Sequence, residues 1–140
     1  MNKEYFQAIH QIILTGHWIT DQVGQVLKEF GITEPQYNVL RTLEQAKGQP
    51  LTVQQLLEKM VQRSSNITRI VDKLISKGLV ERKECPSNRR KMDITITATG
   101  SKYLKKLDKK VVSFHEPLMK NLSKKELETV KTLIQKLKSN

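Results

Sequence analysis

With Cys85 as its one cysteine, this 140-residue chain cannot close a disulfide on itself. Nothing in its cysteine usage asks for an oxidising compartment, and a reduced cytoplasm is the simplest setting. Long hydrophobic runs are missing too. Residues 5–20 carry no Lys, Arg, Asp or Glu, yet Gln7, His10, Gln11 and His17 interrupt them too often for a membrane span or a secretory leader. That stretch reads as an amphipathic helix. Metal-ligand spacing is absent: His10, His17 and His115 have no cysteine or carboxylate arrangement around them. On a helix, His10 and His17 would stand about 10 Å apart along the axis. Neither a nucleophile elbow nor a glycine-rich phosphate loop occurs, so the residues offer no catalytic centre, cofactor site or metal site. Internal repeats and low-complexity segments are also lacking, and the length suits one domain that buries its own core.

Acidic residues are scarce where basic ones gather. The first 60 residues hold 5 basic and 6 acidic side chains; residues 61–100 hold 9 and 4, and residues 101–140 hold 11 and 4. The formal charge of +11 therefore belongs to the middle and the end of the chain. A basic region attracts polyphosphate by releasing counterions, although Lys-rich helices also serve simply as solvated faces. A peripheral membrane role for the last helices is the rival use of that charge, and liposome binding without DNA binding would distinguish it.

The periodicity is mostly helical. Ile9, Ile12, Ile13, Trp18 or Ile19, Val23, Val26 and Leu27 keep near-helical spacing over a long first helix, which Gly31 can close in the left-handed conformation. Thr33 and Gln36 form a capping box with Pro35 in the first turn and Ile32 and Tyr37 as the staple, opening a helix that runs to about Ala46. Thr52 and Gln55 repeat the device for a short helix ending near Met60. From Ser64 or Ser65 to Lys77, the residues Ile67, Ile70, Val71, Leu74 and Ile75 trace a strong apolar stripe, and Gly78 ends it.

After Gly78 the period changes to two. Leu79–Glu84 reads as a strand, Pro86–Arg90 as a polar turn, and Lys91–Thr97 as the return strand with Met92, Ile94 and Ile96 on one face. Two helices follow, from about Ala98 to Glu116 and from Ser123 to about Lys138. The second carries the Ser123–Glu126 capping box, and Pro117 predicts a kink or break between them. The predicted fold class is mainly α with a small β-hairpin wing: a winged helix-turn-helix with N- and C-terminal dimerisation helices. The winged lobe covers about residues 33–97, and the helical dimerisation region about 1–30 and 98–140.

In such a lobe the fourth helix is the recognition helix. Its apolar stripe fixes it to the core and leaves Ser65, Asn66, Thr68, Arg69, Asp72 and Lys73 facing outward. Arg69 can bond guanine bidentately in the major groove, Lys73 suits a phosphate, and the short polar groups Ser64, Ser65, Asn66 and Thr68 allow close approach. The hairpin tip presents Arg89 and Arg90, which suit the narrow minor groove alongside. Asp72 is assigned to structure, as the partner of an arginine.

These residues resemble the MarR family of bacterial and archaeal regulators. The resemblance is carried, in order along the chain, by Thr33-Glu34-Pro35-Gln36-Tyr37-Asn38-Val39-Leu40, Ser64-Ser65-Asn66-Ile67-Thr68-Arg69-Ile70-Val71-Asp72-Lys73-Leu74, Gly78-Leu79-Val80-Glu81-Arg82, Asn88-Arg89-Arg90 and Ile96-Thr97-Ala98-Thr99-Gly100. It implies a homodimer with interlocked first and last helices, set on a pseudo-palindromic duplex DNA site, usually as a repressor. It also implies release by a small aromatic effector in a cleft that His17, Trp18, Tyr37 and Arg41 would border. One departure stands out. The family's wing usually carries Asp where this chain has Asn88, which removes a carboxylate that would orient the wing arginines. Cys85 lies in the wing with no second cysteine to resolve an oxidised thiol, so it is read as a bystander.

Overall fold

The computed structural model describes residues 1–60 and 66–139. In chain order these form α1 (Lys3–Lys28), α2 (Glu34–Gln45), α3 (Val53–Lys59), α4 (Ile67–Ser76), β1 (Val80–Cys85), β2 (Asn88–Ile96), α5 (Ala98–Met119) and α6 (Lys124–Leu137). Residues 61–63, between the expected short helix ending near Met60 and the one beginning at Ser64 or Ser65, and the positions Ser64 and Ser65 themselves lie outside the described residues.

Local chemistry sets the boundaries. All three capping boxes are made: the Thr33, Thr52 and Ser123 hydroxyls accept from the backbone N–H groups of Gln36, Gln55 and Glu126, whose side chains accept from the cap N–H groups in return. Gly31 and Gly78 close α1 and α4 at positive φ, 66° and 73°, where a Cβ would be strained. α5 continues through Pro117 to Met119 instead of breaking. Pro117 forfeits one amide donor, but only two helical residues follow it, so little of the helix depends on that bond.

The core sits in the winged lobe. Leu27, Val39, Leu40, Leu43, Leu56, Val71, Leu74, Val80, Ile94 and Leu107 are buried almost completely, and they come from seven of the eight elements. α4 contributes Ile67, Val71 and Leu74, the inner part of the stripe legible in the sequence; Ile70 and Ile75 are half-buried at its margins.

The wing is an antiparallel hairpin whose register runs from Val80 opposite Ile96 to Glu84 opposite Met92, then shifts so that Cys85 faces Asn88. Its turn is shorter than expected. Only Pro86 and Ser87 lie between the strands, and Asn88, Arg89 and Arg90 belong to β2. At the root, Leu51 and Ile94 exchange both backbone hydrogen bonds, at 3.0 and 2.8 Å, adding a one-residue third strand. Thr97 gathers the neighbouring elements. Its hydroxyl donates to the Gly78 carbonyl at 2.8 Å and accepts from the Gly100 amide at 2.9 Å, while its own amide donates to the Leu79 carbonyl. Gly100 is required at that crossing, since a Cβ there would lie 2.1 Å from the Leu79 carbonyl oxygen.

α1 and α6 differ from the lobe. Tyr5, Phe6, Ile12, Ile13, Leu14 and Trp18 on α1, and Leu127, Val130, Leu133, Ile134 and Leu137 on α6, are all exposed. No residue of α6 is buried.

Candidate nucleic-acid interface

The face to be tested runs from the start of α3 across α4 to the wing. Asn66, Thr68, Arg69, Asp72 and Lys73 are exposed along α4, as its stripe requires once Ile67, Val71 and Leu74 are turned inward. Two recesses flank this exposed ridge. One, of about 390 Å3, is walled by Thr33, Pro35 and Gln36 from the start of α2 and by Asn66, Arg69, Ile70 and Lys73. The other, of about 320 Å3, joins Thr52, Val53 and Gln54 to Thr68 and to Arg82, Arg90, Lys91 and Met92 of the wing. Among the described residues both are lined by two or more cationic side chains and by no carboxylate, although Arg82 is itself paired with Asp72.

Sequence reasoning missed the second recess. Arg82 and Lys91 were not singled out as interface residues, because their convergence with Thr68 depends on how the hairpin folds back over α4. The available signal was the hairpin itself, whose exposed edge must pass beside the helix that precedes it.

Asp72 has the structural role expected of it, with a specific partner. Its carboxylate accepts from Arg82 Nη1 at 2.9 Å, tying α4 to β1. Arg89 and Arg90 are exposed, and among the described residues neither makes an ion pair. Asn88 compensates in part for the missing carboxylate: its Oδ1 accepts from the Arg90 backbone N–H at 3.0 Å, forming an Asx-type turn at the base of the arginine pair. Cys85 is half-buried in the same turn, with its Sγ 3.2 Å from Ser87 Oγ.

Of the four residues expected to border an effector cleft, Tyr37 and Arg41 adjoin each other on α2, and His17 and Trp18 lie on α1. Tyr37 is buried and donates to Asp108 Oδ1 at 2.5 Å. Burial, together with the bond to and the charge of Asp108, raises the pKa of the phenol and keeps it protonated. The Arg41 guanidinium lies 5.6 Å from the centre of the Tyr37 ring. Trp18 packs on Phe114 of α5, with ring centres 5.8 Å apart, and His17 is exposed on α1.

Residues 32–92, which span α2 to most of the wing, match the MarR family. The chain superposes on a crystal structure of a MarR mutant from Escherichia coli complexed with operator DNA, with a TM-score of 0.83 and 26% identity over 97% of this chain and 96% of that one. This chain is MarR-like from α2 into the wing. Its six helices and two-stranded wing, among the described residues, are the MarR winged-helix arrangement. Curated relatives agree. The HTH-type transcriptional regulator MhqR of Bacillus subtilis is 29% identical over 122 residues, 87% of this chain and 83% of MhqR. The HTH-type transcriptional regulator PrsX of Escherichia coli is 32% identical over 87 residues, 62% of this chain. The matched region spans about half of PrsX, 52% of its length.

Proposed function

We propose that this protein is a sequence-specific DNA-binding transcription regulator, acting in the cytoplasm as a homodimer on a pseudo-palindromic site, with repression as its output. One observation carries the reading: α4 presents Arg69 and Lys73 outward between two cationic recesses, beside a wing whose Arg89 and Arg90 are exposed. Such a surface supplies both parts of DNA recognition. Guanidinium groups in the grooves discriminate bases, while lysines and backbone donors along the edges hold phosphates and fix the register. The apolar residues exposed on α1 and α6 support the homodimer, because a lone winged lobe gains nothing from displaying them to water. Twofold symmetry then presents two recognition helices to two half-sites.

Fluorescence anisotropy tests this directly. Purified protein is titrated into duplex DNA from its own upstream region and into shuffled duplex across a salt series. Preferential binding by two protomers, weakening steeply with salt, is the expected result; equal affinity for both duplexes overturns it. Release by a small aromatic acid at the α1–α2–α5 seam near His17, Trp18, Tyr37 and Arg41 completes the reading. Millimolar salicylate then weakens DNA binding, whereas unchanged affinity removes the effector from it. A promoter fusion whose output rises when the protein is deleted supports repression.

A further inference from the structure

α2 and α5 are joined by a pair of matched polar rungs. The Tyr37 hydroxyl on α2 donates to Asp108 on α5 at 2.5 Å, and the Ser101 hydroxyl on α5 donates to Glu44 on α2 at 2.5 Å. Tyr37 and Glu44 are seven residues apart, as are Ser101 and Asp108, so the rungs stand two turns apart on both helices, about 10 Å along each axis. The pairing runs antiparallel, and each helix supplies one hydroxyl and one carboxylate. Leu40 and Leu104, between the rungs in sequence, are both buried. A third bond, from the Tyr103 hydroxyl to the Phe30 carbonyl at 2.9 Å, pins α5 to the residues just beyond α1.

The position of these rungs in the chain gives them leverage. α2 is the helix on which α3, α4 and β2 pack, so it moves with the recognition surface. α5 leaves the lobe and leads to the exposed apolar face of α6. Apolar packing between two helices resists separation but permits small rotations and slides, because dispersion is weakly directional. Two charge-assisted hydrogen bonds at separated points resist both, since either motion breaks at least one of them.

We infer that the Tyr37–Asp108 and Ser101–Glu44 rungs are positioning residues for DNA recognition, locking the winged lobe at one angle to α5 and thereby setting the separation of the two recognition helices. This rests on the homodimeric DNA-binding reading above, and the test separates the two. Moving half-sites apart by one base pair displaces them by about 3.4 Å and rotates one by about a tenth of a turn, so a locked dimer must discriminate spacing.

Two readouts are made on wild type, on the double variant Tyr37→Phe with Ser101→Ala, and on Asp108→Asn, which keeps an acceptor for the phenol. The first is the pulsed-EPR distance between a spin label on Cys85 in the wing and one on an introduced Ser113→Cys in α5, with unlabelled chain in excess. The second is affinity for sites whose half-site spacing differs by one base pair. Wild type and Asp108→Asn should give one narrow distance and a spacing penalty on the order of tenfold. The double variant should give a broad distance and a penalty below about threefold, because its two lobes adapt to either spacing. A purely stabilising role would lower the unfolding temperature while leaving distance width and spacing penalty at wild-type values, and that result overturns the inference. If wild type binds no DNA, the regulatory reading has failed while the distance widths still decide the joint. Should the double variant not fold, Ser101→Ala and Glu44→Ala, each removing the rung at the exposed Glu44, are judged by the same two readouts.

Discussion

The winged lobe and the terminal helices use apolar residues in opposite ways. In the lobe, Leu40, Leu56, Leu74 and Ile94 have essentially no exposed surface. On α6, Leu127 and Leu133 keep 50% and 57% of theirs. The lobe is thermodynamically closed, each element covering another. α6 repeats the same helical periodicity, and among the described residues of its own chain nothing buries its apolar stripe. Amphipathicity in the sequence thus reveals that a face will be covered, and only the fold reveals whether this chain or a second one covers it.

That contrast can be broken at several points. Leu74→Ala should cost about 2–5 kcal/mol, because it empties a site with no route to collapse; urea unfolding of the monomer unit measures it. Ile134→Ala, apolar but 39% exposed, should leave that lobe stability unchanged and weaken self-association instead, which sedimentation at falling concentration detects. Next comes Gly100→Ala. Its methyl group must push α5 off the Leu79 carbonyl, at a cost of about 1–3 kcal/mol read from the same urea transition. On the DNA face, Arg69→Ala should lose about 1–3 kcal/mol of discrimination between cognate and shuffled duplex. Lys73→Ala and Arg89→Ala should instead weaken both and flatten the salt dependence. Equal loss on both duplexes for Arg69→Ala would reassign it to the backbone.

The smallest effect concerns α6. The Ser123 backbone N–H and hydroxyl hold the Glu126 carboxyl below its ordinary pKa, so the folded state favours the charged form. Its contribution is present above the ordinary carboxylate pKa and is lost as pH falls through the lowered folded value. Amide exchange at Ser123 and the first turn of α6 should accelerate over that acidic window, with the lobe amides unaffected.

What could be read from the sequence was what is local. Capping boxes at Thr33, Thr52 and Ser123, closing glycines at Gly31 and Gly78, and the stripe of α4 each depend on residues within a turn or two, and each was legible. The alternation of Met92, Ile94 and Ile96 was matched in part: Ile94 is fully enclosed, while Met92 and Ile96 are half-buried, as are Asp93 and Thr95. Contacts between distant segments were not legible. Tyr37 and Asp108 are 71 residues apart, and nothing beside Tyr37 foretells that its hydroxyl is already committed. Nor did anything in the sequence indicate that the Leu79 carbonyl lies against Gly100. Of the kink or break expected at Pro117, the break did not occur, because the rule describes helix interiors and this proline lies in a last turn. At the interface, exposure of Asn66, Thr68, Arg69 and Lys73 followed from periodicity, whereas the convergence of Arg82 and Lys91 on Thr68 required the hairpin's actual course.

The pairing of Leu51 with Ile94 makes the wing a cantilever. Its root is clamped by two backbone bonds to the segment ahead of α3, and by Thr97 to the end of α4, while beyond the register shift at Glu84 the beam has no lateral support from a third strand. A beam held in this way hardly deflects at its root and bends most at its free end. Arg89 and Arg90 can therefore follow a groove that widens or narrows while Ile94 stays seated in the core, so the reach of the wing adjusts without loosening the lobe that carries it.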